Sequence, residues 1–332
     1  MSSTTFPALW ITETAEGAFQ RQIIERSTDD LPRGDVLVKV SYSALNYKDA
    51  LSASGNKGVT RHFPHTPGID AAGVVAASDS ADFPPGTEVI VTSYDLGMNT
   101  SGGFGGYIRV PAHWVVPLPA GLSLQESMIL GTAGLTAAIS VHKLRHAGVT
   151  PDKGEILVTG ASGGVGCLGV AILARLGYTV IAGTGKPGAQ DWLRGLGAKG
   201  FVRREALLDT SGKPLLKPQW AGVLDTVGGE ILATALKTTQ SEGAIACCGN
   251  VASIKLPTTV FPFILRGINL LGVDSQNYPM AQRRQLWDRL ASDWQPANLA
   301  SIMTATDLTT LKDNWIDAIL NGQVQGRIVV AL

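Results

Sequence analysis

The rhythm of apolar and polar positions changes twice along this chain. Residues 35–40 (DVLVKV) alternate with the period of a half-buried strand, and 71–77, 88–91 and 107–110 predict further short strands. Turn residues separate them, as at Pro84-Pro85-Gly86 and Gly102-Gly103, and Pro117-Leu118-Pro119 closes this β-rich region. From about Met128, strand-like and helix-like segments alternate. Residues 155–159 predict an apolar strand, 165–176 a helix with an apolar face, 178–182 a strand and 189–196 a helix. Extended chain at 200–202 and 222–224, a helix at 231–238 and extended chain at 244–248 continue the series. Such alternation predicts an α/β fold, a parallel sheet with helices on both faces. The tail reads as two amphipathic helices, 280–294 and 308–320, and a closing strand, 327–331.

The strongest chemical signal is Val158-Thr159-Gly160-Ala161-Ser162-Gly163-Gly164-Val165-Gly166, which follows an apolar strand and opens a helix. Small residues there allow a tight turn, close approach of the backbone to a pyrophosphate, and close packing of helix on strand. The helix N-terminus offers N–H groups and a partial positive charge to phosphates. The strict glycine pattern is broken once, by Ala161. The second strand then runs out as Ile181-Ala182-Gly183-Thr184-Gly185-Lys186. An NAD-selective site places Asp or Glu there to bond the ribose 2′-hydroxyl. Here a hydroxyl and a lysine stand instead, suited to donate to a 2′-phosphate. Arg203 and Arg204 follow the next strand and are placed to close over the same group. The expected cofactor is NADPH. The bland alternative makes Lys186 a solvated loop lysine.

Composition narrows the remaining classes. At 332 residues the chain exceeds one ordinary core, so two domains are expected. The 27 basic and 27 acidic side chains cancel, which gives no electrostatic reason to expect a nucleic acid or an anionic membrane as partner. No stretch approaches the roughly 20 apolar residues that span a bilayer, and the first ten residues do not read as a signal peptide. Cys167, Cys247 and Cys248 form no disulfide framework, so a cytoplasmic location is expected.

Several motifs together make the chain resemble the medium-chain dehydrogenase/reductase superfamily, in its zinc-free quinone oxidoreductase branch, and within it the bacterial acrylyl-CoA reductases. They are Ser43-Ala44-Leu45-Asn46-Tyr47-Lys48-Asp49-Ala50-Leu51, Pro67-Gly68-Ile69-Asp70, the glycine loop, and Asp225-Thr226-Val227-Gly228. Leu256-Pro257-Thr258-Thr259-Val260, Pro262-Phe263-Ile264-Leu265-Arg266, Gly272-Val273-Asp274-Ser275 and Gln325-Gly326-Arg327 complete the set. The resemblance implies a β-rich GroES-like domain from 1–129 and 270–332, a Rossmann domain from 130–269, and NADPH in the cleft between them. It implies cofactor contacts at Tyr47, Ser162, Gly163, Gly164, Val165, Thr184, Gly185, Lys186, Arg204, Asn250, Ile264, Ser275 and Asn321. It also implies a soluble homodimer.

Zinc-dependent members of that superfamily use a cysteine and a Gly-His-Glu segment. Asn46 stands at the first position, and the second reads Gly68-Ile69-Asp70, so no metal site is expected. Without a Lewis acid the substrate must be activated already, as an α,β-unsaturated thioester or a quinone. Hydride would reach the β-carbon, charge would develop on the thioester oxygen, and the α-carbon would take its proton from water or a nearby acid. Tyr47 is the candidate catalytic residue, either donating to that oxygen or only packing beside the nicotinamide. Asn46 either orients substrate or holds the loop. For the phosphates of a CoA thioester Arg266, Arg283, Arg284 and Arg327 are available. Three functions follow for test: reduction of a short enoyl-CoA, reduction of a quinone, and binding of NADPH for regulation without turnover.

Overall fold

The computed structural model describes residues 3–332; Met1 and Ser2, which open the expected first domain, lie outside them. The chain begins with β1 (Thr5–Glu13) and β2 (Phe19–Ser27), then β3 (Val36–Leu45), α1 (Tyr47–Ala53), β4 (Asp70–Ser78), β5 (Glu88–Thr92), β6 (Tyr107–Val110) and β7 (Val115–Pro117). The helix α2 (Leu124–His146) leads into β8 (Glu155–Val158), α3 (Gly164–Arg175), β9 (Thr179–Thr184), α4 (Gln190–Gly195) and β10 (Gly200–Arg203). After β11 (Trp220–Asp225) come α5 (Gly229–Thr238), β12 (Thr239–Cys247), α6 (Phe261–Arg266) and β13 (Asn269–Gly272). The tail holds α7 (Met280–Leu290), β14 (Met303–Thr306), α8 (Leu308–Thr310), a π-helical turn (Leu311–Trp315), α9 (Ile316–Leu320) and β15 (Arg327–Ala331).

Two compact units result. The first comprises Met1–Thr132, Gln276–Ala291 and Leu299–Leu332, and the second Ala133–Ser275 and Ser292–Asn298. The first is built on a seven-stranded sheet in the order β14-β15-β3-β4-β5-β7, with β6 added to β3, and on the β1–β2 hairpin. Alternation in β3 turns Val36, Val38 and Val40 into one core with Val75, Val89, Val91, Ile108, Val110 and Val115. The tail supplies the second core of this unit, where Leu308, Leu311, Ile316, Ile328 and Val330 pack with Leu9, Ile11, Leu45 and Phe104. Residues 308–320 do not form the single amphipathic helix expected. The π turn is the physical reason: in its wider winding, residues five apart share a face, and Leu311 and Ile316 are both fully buried.

In the second unit the parallel sheet runs β10-β9-β8-β11-β12-β13, the 3-2-1-4-5-6 order of a Rossmann sheet counted from β8. Its central strand β11 is buried at all six positions, as expected of a parallel strand covered on both faces. The partition differs from the expected 269/270 boundary. Asn269–Gly272 pairs in register with Ala244–Cys247 as β13, which keeps this segment in the second unit up to Ser275. The helix expected over 280–294 also stops early, at Leu290, because Trp294 belongs to the second unit. There it is 1% exposed and lies 5.7 Å from the Arg145 guanidinium. Among the described residues no helix is long and apolar enough to cross a membrane.

Candidate functional site

In the second unit the glycine loop lies between the end of β8 and the start of α3. Gly163 occupies the N-cap position in an extended conformation and has no side chain with which to cap the first-turn amides of α3. The backbone here is too close for a larger residue. A Cβ on Gly166 would stand 2.3 Å from the Gly160 carbonyl oxygen and 2.8 Å from the Ala161 Cα. The loop is pinned from behind by a buried network that sequence reading did not assign. Thr159 Oγ1 donates to Asp225 Oδ1 at 2.7 Å and accepts from the Thr226 N–H at 3.0 Å. The Gly228 N–H donates to Asp225 Oδ2 at 2.9 Å. Burial raises the Asp225 pKa, and these donors oppose that shift. The signal was present as Asp225-Thr226-Val227-Gly228, but nothing in those four residues names Thr159 as their partner.

The end of β9 meets the loop directly. Thr184 Oγ1 donates to Ser162 Oγ at 3.1 Å and accepts from the Lys186 N–H at 3.1 Å. Thr184, expected to donate to a 2′-phosphate, thus lies within hydrogen-bond reach of the loop hydroxyl of Ser162. Gly185 is exposed, with the Arg204 Cβ and Cδ at 3.5 and 3.6 Å from where its own Cβ would sit. Lys186 is half-buried, and desolvation lowers its pKa. The fit to a phosphate-bearing dinucleotide therefore rests on an uncapped helix start, a cradle that a Cβ would fill, and two cations with no carboxylate at the end of β9.

Not every residue implied by the resemblance joins this cluster. Asn250 lies beside the turn that follows β11, its Cα 3.2 Å from where a Cβ of Gly228 would stand. Ile264 is 67% exposed on α6, and Ser275 Oγ accepts from Thr136 Oγ1 at 2.8 Å; neither touches the glycine loop. Tyr47 and Asn321 belong to the first unit, Tyr47 half-buried at the start of α1 and Asn321 exposed after α9.

Asn46 sits in a buried charged network in that first unit. Its Nδ2 donates to Asp70 Oδ2 at 2.8 Å, to Asp49 Oδ2 at 3.2 Å and to the Ala44 carbonyl at 3.2 Å, and its Oδ1 accepts from Arg327 Nη1 at 3.0 Å. Thus the Asn46 amide is committed to its own unit. These bonds hold the residue that directly precedes Tyr47, the first residue of α1. Asp70 also accepts from the Thr132 N–H at 2.9 Å and from Thr132 Oγ1 at 2.6 Å, and lies 3.6 Å from Arg327 Nη2. Gly131 is required beside it: a Cβ there would be 2.5 Å from Asp70 Oδ2, and its φ is +50°.

Asp49 accepts from the backbone N–H of Asn46 and of Ile69, both at 2.8 Å, which ties the first turn of α1 to the approach of β4. Burial first, and then the charge of Asp70, push its pKa up to about 7. A folded-state pKa above the unfolded value means that the folded protein holds the extra proton between about pH 4 and pH 7. The Asp49 contribution to stability is therefore full below the unfolded pKa and lost as pH rises through about 7. Urea unfolding of the wild type and Asp49→Asn at a series of pH values should show the wild type losing stability relative to the variant across this window. Parallel curves would refute the assignment.

Of the four arginines available for a CoA phosphate, three are committed elsewhere. Arg266 bonds the carbonyls of Lys237, Thr239 and Leu216, Arg283 is fully buried against Thr92, and Arg327 is buried against Asp70. Arg284 is exposed on α7. Among the described residues no group of three or more His, Cys, Asp or Glu side chains is placed to hold a metal ion.

Comparison with known proteins agrees with this architecture. Residues 32–120 match the alcohol dehydrogenase GroES-like domain, and residues 164–292 match the zinc-binding dehydrogenase family model. The acrylyl-CoA reductase AcuI of Ruegeria pomeroyi is 43% identical over 98% of both chains. The yhdH oxidoreductase of Salmonella enterica, solved in complex with NADP, is 44% identical with a TM-score of 0.95 over 98% of this chain and 99% of its own. Bacillus subtilis YhfP, which carries a quinone-oxidoreductase name, was solved with NAD bound and is 44% identical with a TM-score of 0.96 over 99% of this chain and 100% of its own. With both family models matched in order and full-length relatives above 40% identity, this chain belongs to the medium-chain dehydrogenase/reductase superfamily, beside the quinone oxidoreductase-like and acrylyl-CoA reductase proteins.

Proposed function

We propose that this protein reduces the carbon–carbon double bond of a short α,β-unsaturated acyl-CoA with NADPH. The observation that carries this reading is the full-length similarity to an acrylyl-CoA reductase. The end of β9 supports the choice of NADPH, since Lys186 and Arg204 flank a strand end with no carboxylate. The dinucleotide would be held by the amides of Gly163, Gly164 and Val165, the Ser162 hydroxyl, and Gly185, Lys186 and Arg204. Asn250, Ile264, Ser275, Tyr47 and Asn321 are the further contacts the family implies. Reduced nicotinamide supplies hydride when bound. Tyr47 is the group of this chain proposed to steady the developing thioester enolate, and Asn46, Asp49 and Asp70 keep the first turn of α1 in place beneath it. Arg284 is proposed to meet a CoA phosphate.

A quinone is the second reading, favoured by the name YhfP carries, and the NAD seen in that relative makes the cofactor a matter for direct measurement. Loss of NADPH absorbance with acrylyl-CoA, crotonyl-CoA and benzoquinone in parallel separates the readings. Acrylyl-CoA should turn over fastest, and EDTA should leave the rate unchanged. Preference for benzoquinone selects the second reading. No turnover of any of the three selects a regulatory NADPH-binding role.

A cytoplasmic homodimer is part of the same proposal. Among the described residues the edge strand β13 has a sheet neighbour on one side only, and Val251, Ile254, Val260, Phe261, Ile264 and Leu265 are exposed on the segment before it. An open edge beside exposed apolar side chains calls for a partner. Light scattering after size exclusion should give twice the chain mass, and Val260→Asp should reduce it to one. A monomeric wild type at micromolar concentration would end this reading.

A further inference from the structure

The helix α2 carries a second group of ligand-bearing side chains, apart from the dinucleotide loop. His142 and His146 are four residues apart, so one turn of helix sets them on the same face. Both are exposed, and their rings lie 6.1 Å apart between centroids with 28° between planes. We propose that they form a two-imidazole site for a first-row transition dication, of the class of Ni²⁺, Cu²⁺ and Zn²⁺.

Three observations bear on it. A metal–imidazole bond of about 2.0–2.1 Å places two rings on one ion at centroid separations of roughly 4.5 Å for a cis square-planar or octahedral pair and about 5.2 Å for a tetrahedral one. The observed 6.1 Å is wider, so the two exposed rings must turn toward each other to share an ion. The neighbouring cations are directed elsewhere: Lys143 Nζ donates to the Gly272 carbonyl, and the Arg145 guanidinium lies over Trp294. His146 is also the last residue of α2, where the helix dipole and the final carbonyls favour positive charge. Two nitrogens leave the other coordination positions to water. Nitrogen ligands without thiolate or carboxylate favour nickel and copper over calcium or magnesium.

The test uses the full chain without a polyhistidine tag, titrated with NiCl₂ in a calorimeter. Wild type should bind one nickel per chain. His142→Ala and His146→Ala should each weaken binding by about tenfold or more, while His113→Ala, which removes an imidazole from the other unit, should leave it unchanged. Nickel should also raise the melting temperature of the wild type and not of either α2 variant; MgCl₂ should do neither. Equal nickel affinity in wild type and both α2 variants, or no heat from wild type at millimolar nickel, overturns the proposal. Because the rings are exposed, folding of the variants is checked by their unchanged melting temperature without metal.

Discussion

Lys186→Ala is expected to raise the Michaelis constant for NADPH by roughly 10- to 150-fold and to leave that for NADH nearly unchanged. One charge-assisted hydrogen bond contributes about 1.5–3 kcal/mol, and that range sets the factor. Lys186 is half-buried and already partly desolvated, so its charge is screened less than that of a surface lysine. Arg204 flanks Gly185 from the other side, and Arg204→Ala should behave in the same direction. Thr184→Asp goes further. It removes the hydroxyl that donates to Ser162 Oγ and places a carboxylate beside the proposed 2′-phosphate position, where it is repulsive, so the preference should reverse toward NADH. Steady-state kinetics of the two alanine variants, their combination and Thr184→Asp with both cofactors test the arrangement. A wild type using NADH as efficiently as NADPH would remove the 2′-phosphate reading of this strand end.

The largest stability effect is expected at Arg327. Its guanidinium donates to the Ile129 and Leu45 carbonyls at 3.1 Å each and to Asn46 Oδ1 at 3.0 Å, and it lies 3.6 Å from Asp70, which is fully buried. Removing one partner of a buried pair leaves the other uncompensated, at a cost of about 3–5 kcal/mol. Arg327→Leu should therefore lower stability by that amount. Burial and the lost cation act together on Asp70, whose pKa burial already raises and Arg327 holds back. The variant should consequently gain stability on acidification, as the carboxylate of Asp70 becomes protonated. Asp70→Asn combined with Arg327→Leu should recover part of the loss, the signature of direct coupling. Urea unfolding of the two single variants and the double variant measures all three. Strict additivity would show that the two side chains do not act on each other.

Much of the second unit was legible in the sequence because its elements declare themselves locally. A run of apolar residues, a glycine loop and an apolar helix face are all readable within about 20 residues, and β8, α3, β9 and α5 fall within two residues of where periodicity put them. The β1–β2 hairpin and α1 were not read from periodicity. In β2 most positions are only half-buried, so polar residues dominate a strand whose partner is fixed by pairing from Thr5↔Ser27 to Glu13↔Phe19. The segment at β13 looked like the start of the returning tail, because four residues carry too little pattern to choose between two sheets; pairing with β12 made the choice.

The same division holds at the candidate site. By itself the sequence determined the dinucleotide loop and the absence of a carboxylate at the end of β9, because each is a matter of which side chain stands at a position. Only tertiary structure decided what those side chains do. It turned the Thr184 hydroxyl toward Ser162, committed the Asn46 amide to Asp49, Asp70 and Arg327, and took Arg266, Arg283 and Arg327 out of contention for a substrate phosphate. Arg327 and Asn46 are 281 residues apart in the chain. Hydrogen bonds act over about 3 Å, and no local pattern reports which distant groups folding brings within that reach.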